Sequence, residues 1–487
     1  VIKKFNNSLV TDIYLICEIL KTRKRRIIEM KKNLIKGLVV SALAFSVPVF
    51  SDTTEDLVNA LVTKGILTED EAALLSKQHA SESKARDQKV KSKLSISKYL
   101  DEGKLYGDIR VRQEWRNADE YGGDESRDRS RQRYKITLGF KTKISEDWFT
   151  DLALAMGSKG RSDNATLGSG GDQGNKEELF VKRAMIGWAV NDWLTLQAGR
   201  IKNPLYTKPM VWDKDLTWDG VSWKTKYKMS KQTTISTTGG VNTVTGDDTQ
   251  TSMLDDDKDS QYQISGQVIG KHLFDKKSGP SAKVGLTYTM YTNDDDDGEV
   301  FDPTAEGRPA QTAINDLSLI EIPADYKMMV KPGLGMTVFG DYAYNIDGDD
   351  RRKAWINSNG GGNNGGADDN SAFLLGFGFG SYKDFKALDK GKQKKGDWKG
   401  NLWYQEVGTY SVDPNHVDSD IFDSKVNLKG IAFKGQYMIE DNVKFNIAYA
   451  HGEINDKSVG CTPGVAGDTK MCIDTMDLLQ LDVTYKW

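Results

Sequence analysis

From Lys104 to the last residue, apolar and polar side chains trade places at every second position, and this alternation restricts the possible folds most tightly. The final segment, Met476–Trp487, shows it best. Leu479, Leu481, Val483, Tyr485 and Trp487 fall on one side, and Gln480, Asp482, Thr484 and Lys486 on the other. A period of two belongs to an extended strand, whose successive side chains point to opposite faces. The same split puts Leu105, Ile109, Val111 and Trp115 opposite Asp108, Arg110, Arg112, Glu114 and Arg116. It sets Tyr134, Ile136, Leu138 and Phe140 against Arg133, Lys135, Thr137 and Lys141, and Val221, Trp223 and Tyr227 against Lys224, Lys226 and Lys228. Further on, Phe373, Leu375, Phe377 and Phe379 oppose the small residues Gly376, Gly378 and Gly380.

A soluble sandwich would have to bury one face of every sheet, and Arg and Lys on the inner face would carry a large desolvation cost. A barrel in a bilayer solves this: apolar faces meet lipid and polar faces meet a water-filled interior. Aromatics at strand ends (Trp115, Trp148, Trp188, Trp193, Trp223, Tyr227, Tyr485, Trp487) match interfacial girdles. The overall polarity, with 28% charged residues, is compatible with such strands, because alternation averages to a polar value.

The connections set the strand number. Short links such as Ser145-Glu146-Asp147, Asn191-Asp192, Ser230-Lys231, Lys331-Pro332-Gly333 and Glu440-Asp441 alternate with long polar ones near 117–129, 159–177, 201–218, 241–259, 293–314, 347–370, 412–424 and 453–475. This predicts an all-β, antiparallel transmembrane barrel of about sixteen strands over 101–487, with short periplasmic turns and long outer loops. Stretches near 232–240, 398–411 and 425–439 alternate poorly, and 383–397 is long for a periplasmic turn.

The N-terminal part differs. Met30-Lys31-Lys32, the apolar run Leu34–Val49 and small residues before Asp52 read as a signal peptide over 30–51, too short to span a bilayer. Residues 1–29 read as an upstream extension outside the mature chain. Residues 52–100 read as a periplasmic helical hairpin, with Thr68 and Glu71 at capping-box spacing; an assembly element and a solvated spacer both fit it. Cys461 and Cys472, the pair left once Cys17 is set aside, suggest a disulfide in an exported protein.

A net charge of −3 without a basic tail excludes a nucleic-acid role. Catalytic motifs are missing; His451 near Asp456 and Ser458 is the nearest approach to a catalytic set, and no cofactor or metal motif is found. The acidic residues Asp247, Asp248, Asp255–Asp257, Asp259, Asp294–Asp297, Asp347, Asp349 and Asp350 fit either plain loop solvation or divalent-cation bridges to lipopolysaccharide phosphates.

With its export signal, the Asp56–Gln78 segment, the strand repeat and the terminal Leu-Asp-Val-Thr-Tyr-Lys-Trp, residues 52–487 resemble the bacterial putative-porin family and, more distantly, the phosphate-selective porins. The resemblance implies a barrel in the outer membrane of a Gram-negative bacterium, usually a homotrimer, that passes small hydrophilic solutes or ions. It also implies that Tyr485 and Trp487 form the signal read by the barrel-assembly machinery, and that the loop after the fifth strand folds inward.

That loop, Ile201–Trp218, is aromatic, holds two prolines and mixes signs. Lys202, Lys208, Asp213, Lys214 and Asp215 are therefore expected to set the field of a constriction; a cap on the mouth or a contact with a neighbouring subunit is the other reading. Facing parity places Arg110, Arg112, Arg116, Arg131, Arg133, Lys135, Lys224 and Lys226 along the pore, a basic ladder that would favour anions. The expected function is passive diffusion of small hydrophilic solutes with weak anion preference. The alternative is a structural or adhesive outer-membrane barrel with a plugged lumen.

Overall fold

The computed structural model describes residues 102–487 apart from 121–127, 158–161, 169–176, 246–259, 276–278, 293–300, 302–313, 359–365, 367–368, 424 and 460–472. The expected signal peptide, the helical hairpin, the Cys461–Cys472 disulfide and most of the acidic outer loops lie outside the described residues.

Nineteen hydrogen-bonded stretches fill sixteen positions of one closed antiparallel barrel. They are β1 (Glu102–Glu120), β2 (Arg129–Lys143), β3 (Trp148–Met156, extended by Ala165–Thr166), β4 (Leu179–Ala189), β5 (Leu194–Lys202), β6 (Thr217–Thr225, extended by Tyr227–Lys228), β7 (Thr233–Thr245) and β8 (Gln261–Leu273). The second half comprises β9 (Ser281–Tyr291), β10 (Ser318–Glu321 and Ala324–Lys331), β11 (Leu334–Asn345), β12 (Ser371–Ser381), β13 (Trp398–Val407), β14 (Leu428–Met438), β15 (Val443–Ile454) and β16 (Ile473–Lys486). β1 closes the ring by pairing with β2 on one side and β16 on the other, with Arg112 opposite both Arg133 and Asp482. Antiparallel ladders thus satisfy the backbone without an open edge, as a bilayer demands.

Each interruption has a local cause. Pro323 has no N–H for the ladder, so β10 breaks beside it, and its carbonyl instead accepts from Gly285. Just before Ala165, Asp163 and Asn164 lie in the interior, both buried. A bulge in β4, where Ala153 pairs with Arg183 but Leu154 with Val181, turns the consecutive Lys182 and Arg183 both inward.

The burial pattern is inside out. On β9, Leu286 is 56% exposed while its neighbour Thr287 is 2% exposed; on β8, Val268 and Gln267 show 53% and 3%. A water-soluble protein would reverse these values. At the short-turn end the stacked pairs Trp148–Trp188 and Tyr485–Trp487, with ring centroids 5.4 and 5.5 Å apart, join Trp193 and Trp398 in an outward-facing aromatic band. No helix among the described residues is long and apolar enough to cross a membrane.

The turns are closed by the expected residue types. Asn191 Oδ1 accepts from the N–H groups of Trp193 and Leu194, Ser230 Oγ does so for Gln232 and Thr233, and Gly333 takes φ = 83° between β10 and β11. The long link after β12 contains a short helix, α2 (Phe385–Lys390), capped by Asp384 and by Gly391 in the left-handed conformation. Its Phe385 and Leu388 pack with Tyr382, Leu273 and Met329.

The long-loop end holds a hydrophobic core of its own. Met210, Phe301, Leu317, Trp355, Tyr410, Val412, Ile421 and Phe422 come from four outer loops and are nearly inaccessible. One loop folds as α1 (Gly348–Ser358), whose Arg351 is fully buried, donates to the Asp413 carboxylate and the Val412 carbonyl, and lies 3.6 Å from the centre of the Phe301 ring. Trp403, Val407, Leu428 and Ala432 face this core from β13 and β14. Those strands therefore carry apolar residues on both faces, which is why their alternation is poor.

Candidate functional site

The loop that follows β5 crosses the interior and docks on both sides. Its roots, Ile201 and Trp218, are paired across β5 and β6, point inward and are completely buried with Trp212 and Met185. Tyr206 exchanges two hydrogen bonds with Gln267 of β8, and Thr207 donates to Glu321 of β10 at 2.5 Å. Of the five charged positions singled out in this loop, Lys208 pairs with Asp325 at 2.7 Å, and Asp215 lies 3.5 Å from Lys135 and 3.8 Å from Lys182. Asp213 accepts from the Ser419 N–H and hydroxyl, and Lys214 approaches Asp420 at 3.4 Å. Lys202 makes no ion pair among the described residues and borders an open recess.

Asp213, Lys214 and Trp212 meet a second inward loop, residues 408–427, between β13 and β14. Trp212 stacks on His416 at 4.5 Å, and His416 in turn hydrogen-bonds Tyr291. This second loop changes the expected basic ladder. Arg110, Arg112, Arg116, Arg131, Arg133 and Lys135 all face the interior, but carboxylates lie against most of them. Arg112 pairs with Asp482 at 2.7 Å and Asp420 at 2.9 Å, Arg131 with Glu114 at 2.6 Å, Lys135 with Asp163 at 2.8 Å, and Arg116 with Asp423. Arg110 reaches Asn164 and, at 3.9 Å, Asp482; Arg133 donates to Ser162 at 3.0 Å. Most of the ladder is thus paired and buried rather than a row of free cations.

The electrostatics of the loops follow from this packing. Burial disfavours ionisation of Asp420, yet Arg112, Lys214 and Arg110 outweigh it and hold the carboxyl well below the usual range. Asp215 is likewise lowered, burial being overcome by Lys135 and Lys182. Asp213 goes the other way: burial, then the neighbouring Asp418 and Asp215, push it up to about 6.

Free positive charge collects elsewhere. Between the root of the first loop and the β1–β9 wall lies a recess of about 850 Å³, bordered by Lys104, Lys141, Lys143, Arg183, Lys202, Lys224 and Lys283. Asp151 is its one acidic lining residue among the described residues, and it is engaged by Arg183 at 3.1 Å, Lys141 at 3.3 Å and the Tyr106 hydroxyl. Lys224 lies in the recess as its facing parity predicts, whereas Lys226 sits exposed beyond it in the kink before Tyr227. The pore-lining residues singled out from the sequence did not include Lys104, Lys143 or Lys283, although alternation sets Lys283 on the polar face opposite Val284 and Leu286. Nor did they include Asp420 and Asp423; the apolar residues Val412, Val417, Ile421 and Phe422 beside them carry the same inward-folding signal as Ile201–Trp218.

His451, Asp456 and Ser458 do not converge. His451 Nδ1 lies 3.0 Å from Asp477, while the Ser458 hydroxyl donates to Asp456 within its own turn. No cluster of three or more metal-ligating side chains occurs among the described residues.

A closed barrel with a lipid-compatible exterior and a polar interior crossed by inward loops defines a porin-type outer-membrane protein. Residues 118–313 match the family model described as "Putative porin". The fold is similar to the high-pH structure of Pseudomonas putida OprB (10% identity, 79% of this chain and 94% of that one, TM-score 0.44) and to the outer membrane channel DcaP of Acinetobacter baumannii (12%, 80% and 99%, 0.42). It is also similar to Pseudomonas aeruginosa OpdQ (11%, 80% and 99%, 0.38). No curated protein matches the sequence.

Proposed function

We propose that the protein is a passive, non-enzymatic diffusion channel for small hydrophilic solutes, with a preference for anions and with the Ile201–Trp218 loop as its constriction. The observation that carries this reading is the recess beside the loop root: seven Lys or Arg side chains border it against one carboxylate. A cleft lined by one sign of charge and walled by low-dielectric material raises the local concentration of counter-ions. In planar bilayers with a salt gradient, the purified protein is expected to give discrete conductance steps and a reversal potential of anion-selective sign. Steps without selectivity, or cation selectivity, would remove the anion preference; the absence of steps would remove the channel.

The outer-mouth core formed by Met210, Phe301, Leu317 and Tyr410 supports a second reading, a structural or adhesive barrel with a plugged lumen. The same recording separates the two. Further parts of the proposal are a homotrimeric assembly, divalent-cation contacts between acidic outer loops and lipopolysaccharide, and recognition of the last strand by the barrel-assembly machinery. Support for the last is local: Tyr485 and Trp487 are 42% and 40% exposed on the outer face, at the seam where Trp487 exchanges backbone hydrogen bonds with Gly107.

A further inference from the structure

We propose that the recess is a saturable binding site for a small organic polyanion, held by Lys202, Lys224 and Lys283 beside the Tyr206 ring. The inference rests on the channel reading above and deepens it by naming the class of solute.

Five of the cations bordering the recess, Lys104, Lys143, Lys202, Lys224 and Lys283, have no carboxylate within ion-pair distance among the described residues. On the β1–β4 part of the wall, by contrast, Arg110, Arg112, Arg116, Lys135 and Lys182 are met by Asp163, Asp215, Asp420, Asp423 or Asp482. Clustered like charges repel each other, and in a partly enclosed recess that repulsion is screened less than on an open surface. An anion that touches several of these lysines relieves it.

The geometry favours more than a simple ion. Lys283 Nζ lies 3.3 Å from the centre of the Tyr206 ring, and Tyr206 is fixed by its two hydrogen bonds to Gln267 and by its hydroxyl bond to Asp325. The ring is therefore a rigid wall next to a cation. Thr195, Gln197, Ser222, Ser236 and Thr238 line the same space and supply neutral hydrogen-bonding groups. The volume of about 850 Å³ falls in the range of roughly 300–1,000 Å³ of small-molecule sites. An inorganic oxyanion would leave most of it filled with water. The chemistry that fits is a carbon scaffold bearing two or more carboxylate or phosphate groups, with hydroxyls for the polar wall.

The test is ion-current block and calorimetric binding on the full-length protein, with citrate, glucose 6-phosphate, inorganic phosphate and acetate as probes. Citrate or glucose 6-phosphate should bind saturably, at least tenfold more tightly than inorganic phosphate and with acetate weaker still; which of the two binds better tells carboxylate from phosphate recognition. Lys224→Gln combined with Lys283→Gln should weaken binding at least tenfold. Lys394→Gln, on the long link between β12 and β13 and not among the residues lining the recess, should leave it unchanged. Normal conductance with no saturable binding, equal affinity for phosphate and citrate, or equal loss in the Lys394 variant would overturn the site while leaving the channel intact. Loss of conductance in the unaltered protein would instead overturn the channel reading itself. Heat-modifiable migration of the folded barrel in gels identifies any variant that fails to fold.

Discussion

The Asp420 carboxylate, carried into the barrel by an outer loop, lies 2.9 Å from the Arg112 guanidinium on β1, a residue 308 positions earlier in the chain. Arg112 keeps a second carboxylate, Asp482, on the neighbouring strand. The first contact therefore ties a loop to the wall, and the second ties the wall to itself at the seam where the barrel closes.

Replacing Asp420 with Ala separates these roles. Loss of one partner of a buried ion pair costs about 3–5 kcal/mol, and because Asp482 remains, the lower end of that range is expected. The expected result is a lower temperature for loss of heat-resistant migration, with larger current fluctuations as the 408–427 loop loosens. Asp482→Ala should instead destabilise the closure between β1 and β16, with a larger fall in thermal stability.

Trp212 and Trp218 should govern whether the first loop stays inside. Truncating a buried Trp to Ala costs about 3–5 kcal/mol. Trp212→Ala is expected to release the loop, raise single-channel conductance and expose residues 203–216 to protease. Trp218→Ala is expected to cut stability further, because this side chain is completely buried at the strand root.

The pH dependence of docking follows from Asp213. Its carboxyl is raised to about 6 by burial and by Asp418 and Asp215, so the docked loop holds the proton more tightly than an undocked one. The contribution of Asp213 to docking is therefore greatest below the ordinary carboxylate range and weakens as pH climbs through about 6, whereas the ion pairs of Asp215 and Asp420 are lost only at pH below that range. Current fluctuations should diminish between pH 7.5 and 5. Asp213→Asn should flatten that profile, and an unaltered profile in this variant would remove Asp213 as its cause.

The lipid-facing assignment predicts an asymmetry on single strands. Leu375→Arg, at a position 62% exposed on the outer face of β12, should cost about 2–4 kcal/mol if it lies near the bilayer midplane. Folding into vesicles, followed by urea titration, measures it.

The barrel was legible because alternation is a local property: Leu286 and Thr287 declare their faces whatever else the chain does. Loop lengths gave the strand number for the same reason. Partners were not legible, since Arg112 and Asp420 are brought together only by a loop that folds inward, and nothing in their spacing records it. Facing parity assigns a side to each arginine but cannot reveal the carboxylates that meet Arg112, Arg116 and Arg131. The bulge that turns Lys182 and Arg183 inward together is likewise invisible to a strict two-residue period. The expectation for the Ile201–Trp218 loop drew on the family resemblance and on its tryptophans, which are costly in water, and residues 410–422 carry a similar apolar signal in weaker form.

The most direct measurement is current recording while single cysteines, placed in a background with Cys461 and Cys472 replaced by Ser, react with a charged thiol reagent. Cysteine at Lys224 or Lys283 should give a stepwise fall in conductance, and cysteine at Val221 or Leu375 should give none. The reverse pattern, or equal insensitivity at all four positions, would contradict a water-filled interior bounded by these strands.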